Sequence, residues 1–256
     1  MAESLFEIPM AVASDEFAAC WRAAGHHLHT QSQSPLDWLR AHVNPPFLEH
    51  LSFRLGNQLF FIRIEDADQR VGVPGSREGL LTIADGCKGY PCIMPMRRTN
   101  EGWSPLFPSW GLAHARSGEP VHPPALITPE PIEMTDWELH DFAVQIVRER
   151  LVNEGRKLMT WVSRPGIDPA IWFHGASGKE WVVVRAVRYP RLRAVPSVDW
   201  HQLAESCARL GKVGHFASVS VASGDESFDP AGDTSVTPLW RGRPLLVRYS
   251  GLEPSA

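Results

Sequence analysis

The chain has 256 residues, of which 43% are hydrophobic and 21% are charged, and its formal net charge is −4. This length allows one large domain or two small ones, and the composition is that of a globular protein with a substantial core. The weak net charge excludes a general attraction to nucleic acid or anionic lipid. Because no apolar run is long enough for a membrane span and the acidic N-terminus is unlike a signal peptide, we expect a cytoplasmic protein without a membrane partner.

The first predicted elements are two helices. Ser14 begins a helical pattern that ends at Gly25. A second, short helix is predicted over residues 34–43, with Ser34 as its cap and Pro35 at its first position. Both are expected to precede the first strands.

A β-hairpin follows in the stretch LSFRLGNQLFFIRIED. Its turn is Gly56-Asn57, in which glycine comes first, as type II′ turns prefer. Pairing Leu55 with Gln58 divides the hairpin into an apolar and a more polar face. The apolar face then carries Leu51, Phe53, Phe60, Ile62 and Ile64. A helix and a strand, REGLLTIADG and PCIMPM, are predicted next.

The chain is expected to contain two units, residues 1–98 and 135–256, joined by residues 99–134. The joining segment is rich in Pro, Gly and Trp, which is typical of a long ordered loop or a domain junction. The second unit opens with the best helical pattern of the chain, in which Thr135 and Glu138 form a capping box. Its predicted order is α-β-β-β-α-β-β.

Both halves contain a hairpin followed by a helix and a strand. An offset of about 122 residues places Arg63 on Arg185, and either an internal duplication or a shared period explains the match. The predicted fold class is therefore α+β, with two hairpin-helix-strand (ββαβ-type) layers. Each layer is expected to be a mainly antiparallel sheet with its helices on one face.

The α-β-β-β-α-β order over residues 135–223 resembles the core of the PD-(D/E)XK nuclease superfamily. Asp168, in the stretch GID, matches the position of that family's catalytic aspartate. The resemblance implies a magnesium site formed by this aspartate and a Glu-x-Lys pair on the next strand. The Glu-x-Lys pair is missing here, because pairing His174 with Glu180 would place Asp168 opposite Ala186, flanked by Val184 and Arg188. A register slipped by one residue would present Val183, Arg185 and Val187 instead, which also supply no second carboxylate. Glu180 is no substitute, because it lies at the opposite end of the hairpin from Asp168.

One carboxylate beside valines and an arginine cannot hold a hard cation, which needs clustered oxygen ligands. We therefore expect Asp168 to cap a strand end or to pair with Arg188, without a metal or another cofactor. If the protein is a nuclease after all, Asp168 and a carboxylate on the preceding helix would carry the reaction. Glu149 is the first candidate for that carboxylate and Glu154 the second.

The stretch VVVRAVRYPRLR holds the one basic concentration of the chain. Such a patch could contact nucleic-acid phosphates or an acidic partner, or its arginines could simply pair with nearby acids. Its members are Arg185, Arg188, Arg191 and Arg193, and Arg241, Arg243 and Arg248 could join them on a neighbouring strand.

Histidines and cysteines suggest two further chemistries. His26, His27 and His29 follow the first predicted helix, where they could bind a metal or cap the helix C-terminus. The four cysteines show no zinc spacing, and reduced, buried thiols are expected. Cys87 or Cys92 could act as a nucleophile only if a histidine lies close.

The preferred hypothesis is a non-catalytic, cytosolic bacterial protein that binds a protein partner as an accessory or regulatory subunit. Aromatic residues flanked by prolines can anchor such an interface, and the joining segment offers Trp103, Phe107 and Trp110. These side chains could equally fold back onto the core. The tandem layout is also similar in element order to small secretion-chaperone folds doubled within one chain. The alternative is a nucleic-acid-binding protein, or a divergent nuclease, on a degenerate PD-(D/E)XK-like core.

Overall fold

The computed structural model describes residues 13–33, 35–40, 50–196, 200–225, 228 and 236–254. The chain has the predicted α+β class, with helices and two sheets. It divides into a first unit of residues 1–85 and 89–127 and a second of residues 86–88 and 128–256. The proline-rich segment expected to join two units therefore lies mostly within the first.

The described elements up to residue 127 are two helices, seven strands and a 3-10 helix. They are α1 (Asp15–Gln31), β1 (Asp37–Arg40), β2 (Leu51–Leu55), β3 (Gln58–Asp66), α2 (Arg77–Gly86), β4 (Tyr90–Thr99), β5 (Gly102–Pro105), β6 (Leu112–His114), β7 (Pro120–Val121) and the 3-10 helix Pro123–Leu126. The sheet order is β1-β2-β3-β4-β6-β7, and β5 also pairs with β4. Strands β3 and β4 are parallel, joined through α2, and the other described pairs are antiparallel.

The hairpin of β2 and β3 has the predicted register, with Leu55 opposite Gln58 and Phe53 opposite Phe60. Gly56 turns with a φ of +59°, a left-handed conformation that glycine adopts without strain. A Cβ at Gly56 would also lie only 2.8 Å from the side chain of Ile127. The rings of Phe53 and Phe60 stack with centroids 5.1 Å apart.

The predicted end of the first helix at Gly25 is wrong, because α1 continues to Gln31. Ser14 is its N-cap, and its side chain accepts a hydrogen bond from the Phe17 N–H at 3.1 Å. The apolar stripe of α1 runs past the glycine to Leu28, which is fully buried. Burial of that last turn outweighs the cost of one glycine within the helix.

The predicted second helix is also wrong where it is described. Residues Asp37–Arg40 form β1, which pairs with β2 and places Asp37 opposite Arg54. The side chains of these two residues form an ion pair at 2.5 Å. The proposed cap Ser34 and residues 41–43 lie outside the described residues.

The segment expected to be a loop or junction contributes strands β5, β6 and β7 to the first sheet. Its prolines are compatible with this role because β5 and β7 are short strands at or near the sheet margin, where a missing N–H is tolerated. Trp110 in this segment is buried and stacks on Phe53 at 6.2 Å. The aromatic side chain thus belongs to the core of the first unit.

The second unit comprises α3 (Asp136–Asn153), β8 (Lys157–Trp161), β9 (Ile171–Gly175), β10 (Gly178–Arg188), α4 (Trp200–Cys207), β11 (Val213–Ser223), β12 (Leu245–Tyr249) and β13 (Glu253–Pro254). Its sheet order is β12-β11-β10-β9-β8, and β13 also pairs with β11. Strands β10 and β11 are parallel and connected through α4, and the other described pairs are antiparallel.

The two units share the order α-β-β-β-α-β, from α1 to β4 and from α3 to β11. The hairpin turns give the structural correspondence between the units. Leu55 pairs with Gln58 in the first, and Gly175 pairs with Gly178, which is 120 residues later, in the second. Arg63 therefore corresponds to Val183, and the predicted match to Arg185 is off by two residues.

The prediction of helices on one sheet face is wrong for the second unit. Val182 and Val184 of β10 belong to the core formed with α3. Trp181 and Val183, which alternate with them, belong to a separate core with Cys207 of α4. Because successive strand residues point to opposite faces, β10 is covered on both sides and reads as a continuous apolar run.

The start of α3 is fixed by the predicted capping box and by a second contact. The Thr135 hydroxyl accepts from the Glu138 N–H at 3.2 Å, and a Glu138 carboxylate oxygen accepts from the Thr135 N–H at 2.9 Å. Arg241, whose side chain is almost fully buried, donates to both oxygens of Glu138 at 2.8 and 2.9 Å. One glutamate therefore caps α3 and anchors the chain that leads into β12.

Replacing Gly25 by alanine tests the continuation of α1. The glycine has no neighbouring atom within 4 Å of an added Cβ, so we expect Gly25→Ala to raise the free energy of unfolding by about 0.5–1 kcal/mol. Urea denaturation followed by tryptophan fluorescence measures this change. Gly56→Ala is the matched control and should lower stability, whereas an unchanged Gly25→Ala protein would argue against the long helix.

Candidate functional site

Asp168 lies beside Arg185, and not beside Arg188 as predicted. The two Nη atoms of Arg185 donate one to each carboxylate oxygen of Asp168, the first at 2.8 Å. The first predicted register is wrong by one residue and the slipped alternative is observed, because His174 pairs with Lys179. Extending the observed register past Ile171 and Val182 brings Asp168 level with Arg185.

This bidentate pair decides what Asp168 can do. Both of its oxygens are held by a guanidinium group, and its side chain is only 16% exposed. A magnesium ion would have to displace Arg185 and would meet its positive charge. Among the residues that the structure describes, no three His, Cys, Asp or Glu side chains are placed to hold a metal ion.

The alternative carboxylates on α3 are in different surroundings. Glu149 is exposed and lies nine residues, roughly 13 Å, further along the helix axis than His140, whose pKa is affected by Asp168. Glu154 follows the helix and accepts from Arg150 at 2.6 Å. Neither residue joins Asp168 in a cluster.

His140 is a buried residue in this region that the sequence reasoning missed. It is 7% exposed on the inner face of α3, and its Nε2 has no hydrogen-bond partner in the described structure. Burial lowers the pKa of His140, the positive charge of Arg185 lowers it further, and Asp141 and Asp168 act in the opposite direction. The neutral imidazole is therefore the form that the folded protein favours.

The arginines predicted as a basic patch are mostly engaged with acids. Arg188 donates to the Met134 carbonyl at 2.6 Å and lies 3.4 Å from Glu133 and 3.6 Å from Asp136. Arg193 pairs with Glu253. Arg191 is exposed, and no ion pair of its side chain occurs within the described ranges.

Of the other arginines considered, Arg241 is the buried partner of Glu138, whereas Arg243 and Arg248 are exposed. Only a minority of the set therefore presents an uncompensated charge. Phosphate binding along a nucleic-acid backbone would require a continuous strip of free guanidinium groups. These side chains do not form such a strip in the described structure.

Glu180, which the sequence excludes as a metal ligand beside Asp168, is a buried acid with partners of its own. Its Oε2 lies 2.8 Å from His215 Nε2, and its Oε1 accepts from the Ser177 N–H at 3.1 Å. Burial raises the pKa of Glu180, but these hydrogen bonds and the charge of His215 lower it more, so the net shift is downward. A Cβ at Gly175 would lie 2.0 Å from this carboxyl group.

The histidine and cysteine candidates are placed without a shared site. His26, His27 and His29 lie within the last turns of α1, and His27 Nε2 lies 2.7 Å from the Ser109 carbonyl oxygen. All four cysteines are buried, and none of them forms a disulfide. Burial raises the pKa of the Cys92 thiol to about 12, which disfavours the thiolate that a nucleophile requires.

The aromatic candidates divide into core and surface residues. Trp110 is 3% exposed, so the prediction that it anchors an interface is wrong. Trp103 on β5 and Phe107 just after it are half-buried, and Leu106 between them is 41% exposed. Trp103, Leu106 and Phe107, hereafter the β5 patch, form a partly exposed apolar stretch.

A cleft of about 540 Å³ lies in the first unit, beside β7 and the 3-10 helix. The stretch HARSGEPVHPPAL supplies most of its lining, including His114, Glu119 and His122. A cluster of histidines, an acid and prolines in one loop-like stretch was the available sequence signal. Because this stretch was predicted to be a loop or junction, it was not considered as a ligand site.

Replacing Asp168 by asparagine tests the Arg185 pair. We expect Asp168→Asn to lower the free energy of unfolding by about 1–3 kcal/mol, because a partly buried guanidinium loses its charged partner. Glu149→Gln, at an exposed position, is the control and should change it by less than about 0.5 kcal/mol. Urea denaturation measures both. Metal-dependent DNA cleavage that disappears in a fully stable Asp168→Asn protein would support the nuclease reading instead.

His140 predicts a pH dependence of stability. Its folded-state pKa lies below the ordinary 6.5, so the unfolded chain binds the proton first and stability should fall as the pH drops below about 6.5. In His140→Leu this loss between about pH 7 and pH 5 should be smaller, and it is measured by urea denaturation at each pH. The pKa of Glu180 is also lowered, so its contribution to stability is lost only in a more acidic range, as the pH falls below its ordinary pKa of 4.5. An identical pH slope in His140→Leu would contradict the assignment.

Comparisons with known proteins add one similarity. Residues 137–255 match a family model described as a domain of unknown function, DUF8840. No curated protein and no solved structure matches the chain. Among the described residues, no helix combines the length and apolar character needed to cross a bilayer. The matched range begins at the second residue of α3 and contains every later element, so the similarity covers the second unit.

Proposed function

We propose that the protein is a non-catalytic accessory or regulatory protein that binds a protein partner through the β5 patch. The observation that carries the proposal is the exposure of Leu106, at 41%, between the half-exposed Trp103 and Phe107. Adjacent large apolar side chains at a surface are typical of interface centres, where aromatic residues contribute most of the binding energy.

The backbone of the β5 patch is held in place. Trp103 pairs with Arg98 across the β4–β5 ladder, and the Leu106 N–H donates to the Pro95 carbonyl at 2.8 Å. A pre-ordered surface loses less conformational entropy on binding than a mobile one. This supports a docking function for the segment in addition to its role in the sheet.

The engagement of Asp168 and of the arginines supports a binding function over the alternatives. The carboxylate that a nuclease would use is held by Arg185 through two hydrogen bonds. Arg188, which a nucleic-acid surface would use, lies beside two acids. The four buried cysteines form no disulfide, which is compatible with a reducing, cytoplasmic location, and this location is part of the proposal.

Affinity purification with the full chain tests the β5 patch. A partner that co-purifies from the source cell should survive moderate salt, because apolar contacts carry the binding. Trp103→Ala combined with Leu106→Asp should lower recovery of the partner by at least about tenfold. The reason is that truncating one hot-spot side chain typically costs about 2 kcal/mol or more of binding free energy.

Val195→Asp is the matched control, because Val195 is 82% exposed and lies outside the β5 patch. It should leave recovery unchanged, and circular dichroism should show that all variants fold. Equal recovery with the double variant would contradict the proposal. Binding of DNA or RNA that weakens steeply with salt and is lost in Arg191→Glu would support the nucleic-acid alternative.

A further inference from the structure

The cleft beside β7 has the size of a small-molecule site. Its volume of about 540 Å³ falls within the roughly 300–1,000 Å³ typical of ligand pockets. It does not include the β5 patch, so an occupant here is independent of the proposed partner. All of the lining residues belong to the first unit.

One wall of the cleft is apolar and is held in place. Val121 and Leu126 are half-buried there, and Val121 is fixed by its pairing with Leu112 in the sheet. The ring of Tyr90 stacks on Phe60 with centroids 5.4 Å apart, so this wall also includes an ordered aromatic ring. Such a wall accommodates an apolar body of a few carbon atoms or one ring.

The lining also has a polar part, hereafter the polar wall, which offers hydrogen-bonding groups. Nδ1 of His114 accepts from the Ser117 N–H at 3.3 Å, which leaves the proton of the neutral ring on Nε2. The Ser117 hydroxyl lies 3.4 Å from Oε2 of Glu119. These contacts order the polar wall without neutralising the glutamate.

Glu119 is the charged group of the lining, which contains no lysine or arginine. Within the described part of the chain, Glu119 forms no ion pair. The nearest arginine in sequence, Arg116, donates instead to both oxygens of Asp85 at 2.7 and 2.6 Å. A negative charge therefore remains available at the polar wall.

From this arrangement we propose that the cleft binds a small organic amine, with its ammonium group at Glu119 and its apolar body against Tyr90, Val121 and Leu126. An ammonium group complements the Glu119 carboxylate, and the Tyr90 ring and the two aliphatic side chains complement the apolar body. A carboxylic acid of the same size would meet the charge of Glu119 without a lysine or arginine partner in the lining. The amine should therefore bind better than its neutral or acidic analogues.

The test uses three compounds of matched size with the full chain: phenethylamine, 2-phenylethanol and 3-phenylpropionic acid. Each is titrated into isotope-labelled protein while the amide resonances of Val121 and Leu126 are followed by NMR. We expect millimolar binding of the amine. Glu119→Gln should weaken it by about fivefold, as loss of one exposed ion pair would.

Glu101→Gln, at another exposed acid of the first unit, is the matched control and should leave amine binding unchanged. Leu126→Asn should also weaken binding, because it removes part of the apolar wall without adding a charge. The proposal is overturned if the acid or alcohol binds as tightly as the amine, if both glutamine variants behave alike, or if no compound shifts these resonances at millimolar concentration. Failure of the partner purification would not affect this result.

Discussion

The second unit depends on the buried ion pair between Arg241 and Glu138. Glu138 is also half of the capping box with Thr135. The same carboxylate therefore caps the N-terminus of α3 and binds a residue about a hundred positions later. Removing one partner of such a pair leaves an unpaired charge in the interior, which generally lowers the free energy of unfolding by about 3–5 kcal/mol. The backbone reinforces it, since Met134 N–H donates to Leu239 and Arg241 N–H donates to Ile132.

With α3 fixed in this way, its inner face lies against β10 and the charges of the unit pair locally. Acids and arginines that looked like a catalytic or basic site in the sequence neutralise one another, as Asp168 with Arg185 and Glu253 with Arg193 do. His140 is buried without a hydrogen bond to its Nε2 among the described residues, whereas Glu119 lines the cleft of the first unit. The engagement of Asp168 and Arg188 in these pairs supports the proposed binding function.

Local signals were read correctly from the sequence, and long-range ones were not. The Gly56-Asn57 turn and the Thr135 cap act over a few residues, so their patterns were sufficient. β1 exists because it pairs with β2, which its own residues do not reveal. The one-residue error at His174 gave Asp168 the wrong arginine, because a register slip turns every side chain to the other face. Trp110 was misassigned because its stacking partner Phe53 is far along the chain.

Gly175 shows how neighbouring strands of this sheet constrain one another. It follows the pleat of β9 as an ordinary strand residue, and the space that its side chain would fill is occupied by the carboxyl group of Glu180. A residue with a side chain at position 175 would displace the Glu180 carboxylate, and His215 would lose its hydrogen-bond partner. Glycine at position 175 and glutamate at position 180 therefore depend on each other, because only the loss of the acid would make room for a side chain at position 175.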